Sequence, residues 1–173
     1  MADLMARMAE IAASQRTGDV LVGLGLGSCI GLVLSDDSHR AAALAHIVLP
    51  AAHEVCAAAA ATASVAKFAD TAVPALVDEI VSLGVPVRRL WAMLVGGAQM
   101  FALGGGMDIG SRNELAVRQA LAQMRIPVRA AVTGGAVGRT VRVYIGQARI
   151  TYKEAGGSEI DLLPAAVDLR RAA

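Results

Sequence analysis

Cys29 and His46 are the two residues of this 173-residue chain whose types and surroundings point to covalent chemistry. Cys29 follows Gly25, Gly27 and Ser28. That context predicts a thiol at a sharp turn, where glycines admit a substrate backbone and leave main-chain N–H groups outward to hold an oxyanion. His46 comes seventeen residues later, in an apolar run that reads as the next strand. A thiolate beside an imidazole supplies the nucleophile and general base of acyl transfer. Taken singly, Cys29 reads equally as a buried structural cysteine and His46 as a satisfied core histidine. The chemistry depends on whether the fold brings them together.

Other chemistries find less support. The eighteen glycines invite a phosphate-loop reading, but no G-x-x-x-x-G-K-[ST] is present, and Gly23-Leu24-Gly25-Leu26-Gly27 is not G-x-G-x-x-G. His53 and Cys56 lie three apart without a second such pair, which is too little for a zinc site. No metal and no cofactor is expected. Sixteen Lys and Arg against fifteen Asp and Glu give a formal charge of +1, and only five residues are aromatic. Neither an electrostatic footprint for nucleic acid nor a base-stacking platform follows from that. Hydrophobic residues make up 55%, yet the longest uncharged runs, 20–35 and 90–107, are broken by glycines and do not read as membrane spans. With charges early in the chain, no signal peptide is expected and the location expected is cytoplasmic.

The elements that must position the pair follow from periodicity. Leu4, Met8 and Ile11 suggest a short helix ending before Thr17, an N-terminal extension over 1–17. Residues 20–34 read as two strand segments meeting at Gly27-Ser28-Cys29, and 41–49 as a strand reached through the Asp36 turn. An alanine-rich stretch, 51–63, runs from loop into helix. Three- and four-residue steps predict a helix over 65–83, interrupted at Pro74 and ended by Gly84-Val85-Pro86, and a second over 112–124 with Ser111 or Asn113 as cap. Strands are expected at 90–95, 128–132, 140–145 and 149–152, and 161–173 reads as a tail. The expected class is α+β in one domain.

Leu24-Gly25-Leu26-Gly27-Ser28-Cys29 followed by His46-Ile47-Val48-Leu49-Pro50 resembles CheD, the chemoreceptor glutamine deamidase family of bacterial chemotaxis. The likeness continues through Ala66-Lys67-Phe68-Ala69-Asp70-Thr71-Ala72, Gly96-Gly97-Ala98-Gln99-Met100-Phe101, Ile109-Gly110-Ser111-Arg112-Asn113, Gly134-Gly135 and Gly138-Arg139. It implies a cysteine-hydrolase fold of layered mixed sheets flanked by helices, similar to deamidating bacterial toxins. It implies Cys29 as nucleophile and His46 as base, with Gly25, Gly27 and Ser28 at the oxyanion and substrate. The implied partners are the cytoplasmic helical bundle of methyl-accepting receptors and, in some species, the phosphatase CheC. Two positions depart. The family's threonine six residues before the cysteine falls on Gly23, whose backbone carbonyl, or that of a near neighbour, or a water held there, is expected to orient His46 instead, and its lysine before the Gly-Gly-Ala block falls on Met93.

Overall fold

A computed structural model of the chain describes residues 1–52, 57–99 and 108–162. Among the described residues, ten strands form two five-stranded mixed sheets. The first sheet is ordered β1-β3-β8-β9-β10, from β1 (Asp3–Met5), β3 (Val20–Leu26), β8 (Arg139–Tyr144), β9 (Arg149–Glu154) and β10 (Glu159–Asp161). The second is ordered β2-β5-β4-β6-β7, from β2 (Ile11–Ser14), β5 (Ala42–Ile47), β4 (Ile30–Ser35), β6 (Trp91–Gly96) and β7 (Val128–Thr133). The described residues also form helices α1 (Ala57–Ala61), α2 (Ala69–Ser82) and α3 (Ile109–Gln123) and a 3-10 turn at Val87–Arg89. The class is α+β with layered mixed sheets and flanking helices, as the sequence implied.

Strand β4 is buried at all six positions because both of its faces are covered. Val33, with Leu44, Met93, Leu21, Val141 and Val143, fills the layer between the sheets. Leu32 and Leu34, with Ala43, Ala45, Leu94, Val73, Leu76, Ile80, Val117 and Leu121, fill the layer beneath α2 and α3. A strand buried on both faces reads as a continuous apolar run rather than an alternating one, as 30–34 does. Truncating Leu32 or Leu76, both fully buried, to alanine is expected to cost about 2–5 kcal/mol.

The N-terminal extension is not helical. Residues 3–5 pair in parallel with β3 (Leu4 with Leu21), and 11–14 pair antiparallel with β5 (Ala12 with Leu44). The three apolar residues that suggested a helical stripe go separate ways. Leu4 packs against the inter-sheet layer, Ile11 against the helical layer, and Met8 is exposed. Unpaired edges of β3 and β5 offer a ladder of main-chain partners that outweighs a weak local preference. Helix α2 starts at Ala69, later than its periodicity suggested. Helix α3 starts at Ile109, earlier than expected, and its cap is neither Ser111 nor Asn113. Asp108 takes that role, its Oδ1 accepting from the Ser111 N–H at 3.1 Å and its Oδ2 from the Ser111 hydroxyl at 2.8 Å. Most of the expected C-terminal tail, together with His53 and Cys56, lies outside the described residues.

Candidate active site

Strands β3 and β4 meet at Gly27-Ser28-Cys29, as the sequence suggested, but belong to different sheets, so this turn carries the chain from one layer to the other. Successive carbonyls of the turn are tied down. Gly27 O accepts from Ala98 N–H at 2.7 Å, Ser28 O from the Asn113 side-chain amide at 2.9 Å, and Cys29 O from Gly97 N–H at 2.8 Å. The Gly27 N–H is also committed, donating to Gly25 O at 2.9 Å. Gly27 therefore shapes the turn rather than offering a donor to substrate. The peptides are trans, and in a trans peptide the carbonyl and the following N–H point in opposite directions. Pinning the carbonyls of Gly27 and Ser28 turns the N–H groups of Ser28 and Cys29 the other way. Ser28 is half-buried, and Gly25 is exposed with φ of +68°.

His46 sits in β5 directly opposite Gly31 of β4. Cys29 stands one residue before β4 and two before Gly31, in the bend that leads into the strand, and no hydrogen bond joins its thiol to His46 Nε2. Cys29 lies in the same apolar cluster as Leu44 and Val33. The strands that the sequence paired, β4 and β5, are adjacent and joined through the Asp36 turn.

The geometry fixes the imidazole's tautomer. Nδ1 of His46 lies 3.3 Å from Ala6 O, and a carbonyl oxygen only accepts, so Nδ1 carries the hydrogen. Nε2 then holds the lone pair, and it is buried without a hydrogen-bond partner among the described residues. The orienting carbonyl belongs to Ala6 and not to Gly23, which corrects the expectation. Both main-chain groups of His46 are engaged by the same N-terminal segment, with His46 N–H donating to Glu10 O and Ala9 N–H to His46 O, each at 3.0 Å. The segment read as a helical appendage thus closes over the histidine. Gly23 instead faces the packed layer. A Cβ there would stand 3.1 Å from Val141 Cγ1 and 3.4 Å from Leu44 Cδ2.

Burial pushes the Cys29 thiol up, opposed by its own main-chain N–H, and pushes the His46 imidazole down, opposed by its hydrogen bond to Ala6. Desolvation disfavours the charged form of each, so both shifts favour a neutral thiol and a neutral imidazole at pH 7. Neither shift favours a standing thiolate. Alkylation of Cys29 by iodoacetamide should consequently keep accelerating with pH through the alkaline range. A plateau reached below pH 7 would instead indicate a standing thiolate–imidazolium pair.

Neighbouring glycines and two buried polar side chains brace the crossing. Gly96 has φ of +116°, and a Cβ on it would lie 2.2 Å from Cys29 O. Any side chain there strikes the nucleophile's own backbone. Gly110 lets α3 approach similarly, its hypothetical Cβ falling 2.4 Å from Gly97 O. Arg139, 6% exposed, donates from Nη1 to Gly134 O at 2.6 Å and Gly96 O at 3.3 Å, and pairs with Glu154 at 2.9 Å. The Gly96-Gly97, Gly134-Gly135 and Gly138-Arg139 blocks therefore gather at the same end of the sandwich. Asn113 is fully buried, and apart from its place in a resembling block the sequence offered it only as a helix cap. Met93 is fully buried in the inter-sheet layer opposite Val33, where a lysine would be desolvated. Among the described residues no group of three or more His, Cys, Asp or Glu could hold a metal ion, and no helix is long and apolar enough to cross a membrane.

A family model described as CheD chemotactic sensory transduction matches residues 48–154. The chain belongs to the CheD family. Curated relatives cover most of it. A probable chemoreceptor glutamine deamidase CheD of Caldanaerobacter subterraneus subsp. tengcongensis is 37% identical over 86% of this chain and 91% of its own. Another from Symbiobacterium thermophilum is 39% identical over 90% and 94%. The chemoreceptor glutamine deamidase CheD of Thermotoga maritima is 39% identical over 81% and 85%. The CheD model match begins at Val48, after both Cys29 and His46. For those two residues the case therefore rests on the geometry of the sheet crossing.

Proposed function

We propose that this CheD-family chain hydrolyses specific glutamine side chains of methyl-accepting chemoreceptors to glutamate through a thioester on Cys29. The observation that carries the reading is the orientation of His46: Nδ1 donates to Ala6 O, leaving a lone pair on Nε2 in the strand paired with the one that Cys29 leads into. The relatives' names supply the substrate class. On this reading Nε2 takes the thiol proton, and the sulfur attacks the amide carbon of glutamine. The carbonyl oxygen becomes an oxyanion facing the N–H groups of Cys29 and Ser28. Its collapse breaks the C–N bond, and His46 returns the proton to the departing nitrogen, releasing ammonia. Water then attacks the thioester, gives its proton to Nε2, and leaves glutamate and the free thiol. Because the resting pair is neutral, proton transfer accompanies attack instead of preceding it. The proposed partners are the receptor's cytoplasmic helical region and, as the family resemblance implies, the phosphatase CheC.

Mass spectrometry of a receptor cytoplasmic fragment incubated with the protein tests the reading. Conversion of particular glutamines to glutamate is expected. An unchanged fragment favours a binding module without chemistry, and incorporation of an added amine favours transglutamination.

Gly23 and Met93 are the positions that favour the binding-module reading, and Gly23 has its own test. His46 already has an acceptor in Ala6, and a threonine side chain at 23 would press on Val141 and Leu44. Gly23→Thr is therefore expected to cost about 1–3 kcal/mol of stability through overpacking while leaving turnover within about tenfold. A gain of several hundredfold would show that the natural glycine disables the site.

A further inference from the structure

The geometry points to Asn113 as a positioning residue that sets the oxyanion donor and locks the nucleophile's turn to the base's strand. This rests on the proposed deamidation and names a component of the same site. Asn113 lies on the buried stripe of α3 with Gly110, Val117 and Leu121, where an apolar residue would serve packing. Its Nδ2 instead donates to Ser28 O at 2.9 Å and to Val48 O at 2.8 Å. Two carbonyl acceptors identify that atom as the amide nitrogen, since a carbonyl cannot donate. Ser28 O belongs to the Ser28–Cys29 peptide, and holding it toward α3 aims the Cys29 N–H away from α3, where the thiol's own main-chain N–H already opposes its raised pKa. Val48 is two residues beyond His46. Its N–H donates to Lys67 O at 3.0 Å, so the end of the base's strand is held from both sides. One amide group thereby ties the segment carrying the sulfur to the segment carrying the imidazole. Oδ1 of Asn113 is buried without a partner among the described residues.

The test separates steps that form an oxyanion from one that does not. Alkylation by iodoacetamide displaces iodide and builds no oxyanion, whereas a simple aldehyde such as butyraldehyde adds to the thiol to give a thiohemiacetal whose oxygen occupies the oxyanion position. Aldehyde affinity is read by protection against alkylation, on the full chain, for wild type, Asn113→Leu and the milder Asn113→Ser, which keeps one donor. For Asn113→Leu, aldehyde affinity and kcat on the receptor fragment are expected to fall by about tenfold or more. KM and the alkylation rate should stay within about threefold of wild type, and Asn113→Ser should lie between. Unchanged aldehyde affinity in both variants would overturn the inference, as would alkylation and aldehyde affinity falling in equal proportion. If wild type protects with aldehyde but leaves the receptor fragment unchanged, the deamidase reading fails, while the variants' aldehyde affinities still decide the role of Asn113.

Discussion

Replacing Cys29 by serine is expected to take ammonia release to background, a loss of about 10⁴-fold or more. The hydroxyl keeps nearly the thiol's shape, but serine has no appreciable anionic fraction near neutral pH, and a weak, desolvated base such as His46 cannot make up the difference. The fold should survive, because the three carbonyl hydrogen bonds that hold residues 27–29 involve main chain and Asn113, not the sulfur. Thermal unfolding of the variant within about 1 kcal/mol of wild type, with turnover lost, separates chemistry from structure. Cys56→Ser, which leaves Cys29 and His46 in place, is the matched control and should turn over at the wild-type rate. Near-wild-type turnover by Cys29→Ser would remove the nucleophile assignment.

His46→Ala is expected to lower kcat by about 10² to 10⁴, the contribution of a positioned general acid and base. The imidazole is 3% exposed, so the variant also leaves a cavity and an unmet Ala6 carbonyl. His46→Gln, which can still donate toward Ala6 but supplies no base, separates these effects. Both variants should lose turnover to a similar extent, with His46→Gln closer to wild type in stability. Retention of most activity by His46→Gln would reduce the histidine to a structural role.

Much of this arrangement is legible from sequence because strands carry their signal in short, glycine-punctuated apolar runs. The runs 20–34 and 41–49 stand out in that way, and with them the pairing of the strand after Cys29 with the strand that carries His46. The sequence is silent on which sheet each strand joins. A turn at Gly27-Ser28-Cys29 reads the same whether it closes a hairpin or crosses between layers, and only the second places the thiol at the end of the sandwich. The N-terminal residues misled for a related reason. Leu4, Met8 and Ile11 fit a helical stripe as well as two short strands, and the choice is made by the open edges of β3 and β5. Ala6 has no sequence signature because it acts through its main-chain oxygen. Asn113 had a faint one, a polar residue in register with Gly110, Val117 and Leu121, obscured because asparagine near a helix start also suits a cap.

The covalent intermediate is the most direct point of contact between this site and its chemistry. A receptor fragment mixed with the protein and quenched in acid within a turnover should show a species equal to protein plus fragment less ammonia. Fragmentation should map the linkage to Cys29, and a chase in water should convert it to glutamate-bearing fragment. Ammonia released with no such species on Cys29 under conditions that trap a thioester, or an adduct on any other residue, would contradict the site.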